Sequence, residues 1–303
     1  MQIFITGGAG FIGIHLCKKL LEQNHDVTIF DNFENSSQEY FISIFKDDVT
    51  IISGDITNYL KLKDSMKNHD IVIHLAAKIS IPDSIINPES TFDTNVKGTQ
   101  NVLDSLLSNN IQKLITTSSA AVYKDTLSKI METSIISPLS PYGTSKLEME
   151  KKINHFTVQH KISYTILRLF NVYGDGQSIE YAGVITKFKE KINKNLPLII
   201  YGDGQVVRDF IHIDDVVIAI ILAMNSSESH TYNIASGTGT SIIDLAKIMI
   251  ALSGKPLDII FKSAQSGDIL SSISDVSLAK TSLQFIPETS LKKGLTQFLS
   301  EKY

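Results

Sequence analysis

Cysteine is almost absent from this chain: of 303 residues only Cys17 carries a thiol. No disulfide can form within it, and a reducing compartment suits it best. Cys17 falls on the apolar side of an expected helix with Gly13, Leu20 and Leu21, which points to a buried thiol rather than a reactive one. An excess of basic residues is absent too. With 28 Lys and Arg against 32 Asp and Glu, the formal charge is −4. No positive field recruits nucleic acid or an anionic membrane, so an anionic ligand has to be held by local groups. Long apolar runs are missing: the longest, 216–224, is about half a membrane span. The 8 histidines are scattered without a ligand spacing such as His-x-x-x-His, which argues against a metal enzyme. There is no internal repeat or low-complexity tail, and residues 2–6 read as a strand rather than as part of a signal peptide. The expectation is a soluble cytoplasmic protein.

What the chain has is a 43% hydrophobic composition, enough for a sizeable core, and a regular alternation of short and long patterns. Short β-branched runs at 2–6, 27–31, 50–53, 71–75, 113–118 and 163–169 read as buried strands, and helical patterns such as 11–23, 89–107 and 143–160 fill the gaps. Continuous apolar strands alternating with helices predict an α/β fold, a doubly wound, Rossmann-like parallel sheet covered on both faces, with its ligand beyond the C-terminal ends of the strands. After Leu169 the pattern loosens into Gly-rich turns, then helices at 214–224, 241–252 and 291–300 and a strand near 232–234. This predicts a dinucleotide-binding domain over 1–170, with 206–235 returning to it, and a smaller, discontinuous α/β C-terminal substrate domain over 171–303.

The first strand runs into Thr6-Gly7-Gly8-Ala9-Gly10-Phe11-Ile12-Gly13. Small residues there let the backbone approach a pyrophosphate, and the N-terminus of the following helix attracts its charge. A purely structural turn would share the spacing, but strand-turn-helix is the context the motif requires. Asp31 ends the second strand, 18 residues after Gly13. A carboxylate there can accept hydrogen bonds from a ribose diol and would repel a 2′-phosphate, which favours NAD over NADP. Taken alone, it could also be an ordinary strand-end acid. Asp55-Ile56 after the third strand and Leu75-Ala76-Ala77 after the fourth lie on the same expected edge, where Asp55 could reach an adenine amine and the alanines leave room for a cofactor.

Tyr142 and Lys146 stand four residues apart after Ser140-Pro141, on one face of an expected helix. An ammonium beside a tyrosine favours the phenolate and would make Tyr142 a general acid/base. A Pro-initiated helix with a packed tyrosine and a solvated lysine would look the same.

Together these residues resemble the extended short-chain dehydrogenase/reductase family, and within it the UDP-glucose (UDP-galactose) 4-epimerases and close nucleotide-sugar epimerases. The likeness runs from the Gly-rich turn through Asp31-Asn32 with Asn35-Ser36, Asp55-Ile56, His74-Leu75-Ala76-Ala77, Asn95-Val96-Lys97-Gly98-Thr99, Ser118-Ser119 and Tyr142/Lys146. It continues through Asn171-Val172-Tyr173-Gly174, Arg208-Asp209-Phe210 and Gly267-Asp268, and so covers nearly the whole chain. The resemblance implies Ser119, Tyr142 and Lys146 as the catalytic set, with Tyr142 and Lys146 also touching bound NAD. It implies cofactor contacts from Gly7, Gly10, Phe11, Ile12, Gly13, Asp31, Asn32, Asn35, Ser36, Asp55, Ile56, Leu75, Ala76, Ala77 and Asn95. It implies substrate contacts from Ser119, Tyr142, Asn171, Arg208, Asp268 and Ser272, and a homodimer through helices near 89–107 and 143–160.

The implied reaction is inversion at C4 of a UDP-hexose through a 4-keto intermediate. Ser272, four positions after Asp268, is small where the resembled epimerases carry a side chain lining the C2 pocket, so UDP-N-acetylglucosamine is expected to fit beside UDP-glucose. Two positions depart from the pattern: Gln265 replaces an arginine expected to face the diphosphate, and Lys124 replaces a glycine. A nucleotide-sugar dehydratase, decarboxylase or reductase is the alternative on the same fold. Dehydratases typically carry an Asp-Glu pair where this chain has Ala120-Ala121, which disfavours elimination. A non-catalytic NAD-binding sensor is the third reading, and it would have no need of Ser119, Tyr142 and Lys146 together.

Overall fold

The computed structural model describes residues 1–178, 183–263 and 270–300. They divide into two compact units: 1–122 with 136–168 and 220–232, and 123–135 with 169–219 and 233–303.

In the first unit the expected alternation folds as β1 (Gln2–Thr6), α1 (Phe11–Glu22), β2 (Asp26–Asp31), α2 (Gln38–Phe45), β3 (Val49–Ser53), α3 (Tyr59–Ser65) and β4 (Ile71–His74). There follow α4 (Ile81–Ile86), α5 (Pro88–Phe92), a π-helical turn at Asp93–Gly98, α6 (Thr99–Ser108), β5 (Lys113–Ser119), a 3₁₀ turn at Ala120–Val122, α7 (Pro141–His160) and β6 (Ser163–Leu169). Side chains stop orphan N–H groups where the helices begin: Ser37, Asn58, Ser80, Asn87 and Ser140 cap α2, α3, α4, α5 and α7. Each such cap is worth about 1 kcal/mol. Strands β3, β2, β1, β4 and β5 are neighbours in that order, each adjacent pair parallel, and β6 and β10 (His230–Ile234) extend the sheet to seven strands. Side chains such as Phe4, Val72, Leu103, Leu114 and Ile153 form a closed core there. Burying each large apolar side chain stabilises the fold by about 1.5–3 kcal/mol before conformational entropy is subtracted.

The helix expected across 89–107 forms as one helical run, with α5, the π-helical turn and α6 following one another without a gap. The π-helical turn separates α5 from α6, and Gly98 within it lies so close to Ile56 that a Cβ would stand 2.5 Å from the Ile56 Cδ1.

The second unit carries β7 (Asn171–Tyr173), α8 (Val184–Asn193), β8 (Leu198–Tyr201) and β9 (Val207–His212). After α9 (Ile213–Asn225) and β10 come β11 (Gly239–Ser241), α10 (Ile242–Ser253), β12 (Ile259–Lys262), β13 (Ser271–Ser272), α11 (Ser277–Ser282) and α12 (Leu291–Ser300). Strand β9 is the hub of a small sheet: it pairs with β11, with β13 and with β7, while β8 and β12 form a separate parallel pair. The stretch 206–235 therefore does not return to the large sheet as a whole. Strand β9 stays with the small sheet because its two flanks are taken by β11 and by β7 and β13, and only β10 reaches the large one.

Candidate active site

The Gly-rich turn is close-packed. Gly7 has φ +71°, and a Cβ on it would lie 2.5 Å from the Ala76 nitrogen, so only glycine lets the ends of β1 and β4 come together. A Cβ on Gly13 would lie 2.3 Å from the Gly8 carbonyl oxygen, which keeps the first turn of α1 against the loop. Helix α1 starts at Gly10 with no side-chain cap and no acid in its first turn. The N–H groups of Phe11, Ile12 and Gly13 thus have no acceptor within the helix, which is the arrangement that receives a pyrophosphate. The residues present fit a dinucleotide.

Asp31, at the end of β2, is buried and holds this turn: its Oδ2 accepts from the Ala9 N–H at 3.0 Å and its Oδ1 from the Phe33 N–H at 2.8 Å. Burial pushes its pKa above the ordinary carboxylate value, and the two N–H bonds only partly offset that. Beyond it, Asn35 is exposed and Ser36 half-buried in a bend. Asn32 donates from its amide to Asp55 Oδ2 at 2.8 Å, while Asp55 Oδ1 accepts from the Thr57 N–H and hydroxyl at 2.8 and 2.6 Å. Partial burial raises the Asp55 pKa, but Thr57, Asn32 and the charge of Lys78 outweigh it and hold it below the usual range. Leu75, Ala76 and Ala77 follow β4 half-buried.

Asn95 sits in the π-helical turn, fully enclosed, and its amide is committed to the protein. Its Oδ1 accepts from the Lys78 N–H at 2.8 Å, and its Nδ2 donates to the Lys78 carbonyl at 3.0 Å and to the Ser145 hydroxyl at 2.9 Å. It ties the loop after β4 to helix α7, a part that the motif around it does not announce. His74 is equally enclosed. Its Nδ1 meets the Thr6 hydroxyl at 2.7 Å and its Nε2 the Thr99 hydroxyl at 2.9 Å. Because the Thr99 hydroxyl donates to the Asn95 carbonyl at 2.6 Å, it accepts from His74 Nε2–H, which assigns the neutral Nε2–H tautomer. Burial and the nearby charge of Lys146 depress the His74 pKa to about 3, in keeping with that neutral ring.

Helix α7 brings the acid/base residues together. Ser140 caps it, Pro141 opens it, and a Cβ on Gly143 would lie 2.3 Å from the Ala121 carbonyl oxygen, so the helix start presses directly on the 3₁₀ turn that follows Ser119. The Tyr142 phenol is set against the Ser119 side chain, whose Oγ accepts from the Ala121 N–H at 3.1 Å. Lys146, one turn on, is buried, and its ammonium donates to the Thr117 carbonyl at 3.0 Å. The expectation that Lys146 lowers the tyrosine pKa is not met. Burial raises the Tyr142 pKa, and the counteracting influence is the hydrogen bond from Ser119 rather than the lysine. Desolvation acts on Lys146 instead and lowers it to about 8, against the opposing charge of Glu150.

The second unit holds a cavity of about 270 Å³, lined among others by Asn171, Tyr173, Gln177, Ile200, Tyr201 and Arg208. The Asn171 amide donates to the Asp209 carbonyl at 2.8 Å, and Arg208 Nη1 donates to the Val207 carbonyl at 3.0 Å. Ser272 is not part of this lining; it is the β13 partner of Arg208 in the parallel register. Gln265 and Asp268 lie outside the described residues. The carboxylate of Asp209 is buried and accepts from Ser236 N–H and Oγ, Gly237 N–H and Ser274 N–H at 2.6–3.2 Å, so it fastens the chain after β10 and after β13 to β9. Among the described residues no group of three or more His, Cys, Asp or Glu is placed to hold a metal ion, and no helix is long and apolar enough to cross a membrane.

Comparison with known proteins gives this geometry its relatives. A putative UDP-glucose 4-epimerase of Methanocaldococcus jannaschii is 36% identical over 99% of this chain and 97% of its own length. The solved UDP-glucose 4-epimerase of Thermotoga maritima with UDP-glucose superposes with a TM-score of 0.94 at 32% identity, covering 99% of this chain and 98% of that one. A UDP-N-acetylglucosamine 4-epimerase from Methanobrevibacter ruminantium M1, solved with UDP-N-acetylmuramic acid, reaches 0.92 at 32% identity, covering 99% and 97%. The profile of the NAD dependent epimerase/dehydratase family matches residues 3–235. A match over most of the chain, joined to a dinucleotide cradle and a half-buried Ser119 beside the buried Tyr142 and Lys146, means that the chain belongs to the NAD dependent epimerase/dehydratase family.

Proposed function

We propose that this protein inverts C4 of a UDP-hexose, interconverting UDP-glucose and UDP-galactose with NAD kept bound. The observation that carries the reading is the enclosed Tyr142 phenol set against Ser119, with the enclosed Lys146 ammonium one turn further along α7. The chemistry supplied by bound NAD is reversible hydride exchange with C4, so that a 4-keto sugar forms and is reduced again without a net oxidant. The chain's own work is to bind, orient and move a proton. Phe11, Ile12 and Gly13 at the start of α1 offer N–H donors to the pyrophosphate, and Asp31 accepts from the adenosine ribose. Tyr142 takes the proton of the C4 hydroxyl and returns it after the ketone has turned over. Ser119 orients the phenol and opposes the effect of its burial, and Lys146 holds its ammonium one turn further along the same helix.

In the second unit, Arg208 suits a diphosphate because its planar guanidinium binds two oxygens, and Asn171 adds an amide to the same cavity. Ser272, registered beside Arg208, is small enough to leave room at C2, which supports UDP-N-acetylglucosamine as a second substrate. We also assign a homodimer formed through helices α6 and α7, which expose Leu107 and Val158, and cytoplasmic action, consistent with the buried lone thiol of Cys17. Incubating the purified protein with a panel of nucleotide sugars and following C4 by NMR tests the reading. Inversion of UDP-glucose or UDP-galactose supports it, and a panel returned unchanged overturns it.

A further inference from the structure

Among the first three residues of α7, Pro141 has no N–H, and those of Tyr142 and Gly143 have no acceptor inside the helix, whose first bond runs from the Thr144 N–H to the Ser140 carbonyl at 2.9 Å. The Ser140 hydroxyl accepts from Gly143 at 3.1 Å. The Tyr142 N–H is taken from outside the helix, by Ser84 Oγ of α4 at 3.1 Å, 58 residues earlier in the chain. Ser84 is fully enclosed, so water cannot stand in for it. Its hydroxyl hydrogen is committed to the Ile81 carbonyl at 2.7 Å, which makes the oxygen an acceptor toward Tyr142.

Helix α4 is inverted for a helix placed by apolar burial. Its buried residue is Ser84, whereas Ile81, Ile85 and Ile86 are 44, 63 and 82% exposed. A serine inside a helix commonly back-bonds to its own backbone, and the Ile81 bond does that here. That bond uses the hydrogen and leaves the oxygen to serve α7. The Tyr142 carbonyl is held from the same stretch of chain: it accepts from Ser145 Oγ at 2.7 Å, and that enclosed hydroxyl accepts from Asn95 Nδ2 at 2.9 Å. Both polar groups of the Tyr142 backbone are therefore fixed by buried hydroxyls. We infer that Ser84 is a positioning residue for Tyr142, fixing its peptide N–H while Asn95 and Ser145 fix its carbonyl, and thereby setting where the phenol stands. The placement belongs to the fold; its consequence for turnover rests on the proposed function.

The test reads the Tyr142 amide directly. Wild type, Ser84→Ala and Ser84→Cys are labelled with ¹⁵N at tyrosine, and the Tyr142 signal is assigned by its loss in Tyr142→Phe. Hydrogen exchange at Tyr142 should be about 10-fold faster or more in Ser84→Ala, while the amides of Tyr123, Tyr173 and Tyr232 keep their rates. Ser84→Cys, whose thiol is a weaker acceptor of similar shape, should fall between, and it carries the test should Ser84→Ala not fold. In kinetics, kcat should drop by about 10-fold in Ser84→Ala, with KM for UDP-glucose and NAD content held within about 2-fold. In a Tyr142→Phe background the same change should cost nothing further, because the oxygen it places is gone. An unaltered Tyr142 amide in the folded variants overturns the inference, as does acceleration shared by all four tyrosines. So does a loosened amide with unaltered kcat, or an equal loss of residual turnover with and without the phenol. The exchange measurement needs no substrate, so failure of the proposed reaction is seen separately in the nucleotide-sugar panel.

Discussion

Gly143 stands against Ala121 so closely that a Cβ would meet the Ala121 carbonyl oxygen at 2.3 Å. This contact sets the helix that carries Tyr142 and Lys146 onto the turn that follows Ser119, so the acid/base geometry depends on one missing methyl group. In Gly143→Ala the helix start has to move, and the placement of Tyr142 against Ser119 with it. We expect turnover to fall by about 10-fold or more, since sub-ångström misplacement of an acid/base group is expensive, while NAD content changes little. Steady-state kinetics and cofactor quantification on the same preparation check this; an unaltered kcat would show that the helix start tolerates the shift.

Tyr142→Phe removes the acid/base oxygen and leaves the ring. NAD and UDP-sugar binding should persist, and C4 inversion should drop by about 10²–10⁴-fold. Calorimetric binding alongside NMR turnover separates the two, and wild-type turnover in this variant rules out the assigned proton path.

Asp31 both accepts from the Ala9 N–H and faces the ribose in the proposed site. Asp31→Ala should narrow the preference for NAD⁺ over NADP⁺, chiefly by weakening NAD⁺, because a like charge opposite the 2′-phosphate is gone along with an acceptor for the diol. Losing the Ala9 bond loosens the Gly-rich turn for both cofactors, so the ratio of affinities is the quantity to measure. A wild-type protein that binds both equally contradicts the assignment.

His74 contributes a pH dependence of stability whose sign follows from its depressed pKa, about 3 in the fold against 6.5 when unperturbed. Between those values the unfolded chain binds the proton and the folded one does not. Stability is therefore lost as pH falls below about 6.5, with a slope of up to about 1.4 kcal/mol per pH unit, and is unaffected by this group above it. His74→Gln breaks the Thr6–His74–Thr99 chain and should lower Tm at pH 7.5, yet its Tm should fall less between pH 7 and pH 4.5 than that of wild type. Parallel thermal melts decide it; identical slopes would mean that another group sets the acid sensitivity.

Ser272 is tested by substrate ratio. Wild type should turn over UDP-N-acetylglucosamine as well as UDP-glucose, and Ser272→Tyr should cut kcat/KM for the N-acetylated sugar by about 10-fold or more relative to the plain one. Rejection of the N-acetylated sugar by wild type would sink the pocket assignment, and an unchanged ratio in the variant would place Ser272 elsewhere.

Local pattern alone determined the strands of the large sheet, the Gly-rich turn that ends β1, the carboxylate that ends β2 and the pairing of Tyr142 with Lys146 on one helical face. Each depends on residues within a few positions of one another, where periodicity and backbone stereochemistry act directly. The tertiary structure decided what depends on long-range burial. It showed Asn95 as a clamp between Lys78 and Ser145, bonds that join residues 17 and 50 positions away in the chain. It wound the middle of the helix across 89–107 as a π-helical turn and kept β9 in the small sheet. It also raised the Tyr142 pKa where spacing to a lysine predicts a lower one, because desolvation grows with everything packed around a group and sequence separation does not measure it. Glu150 and Arg168 are 18 residues apart in the chain, and only the packing of α7 on β6 makes them a pair.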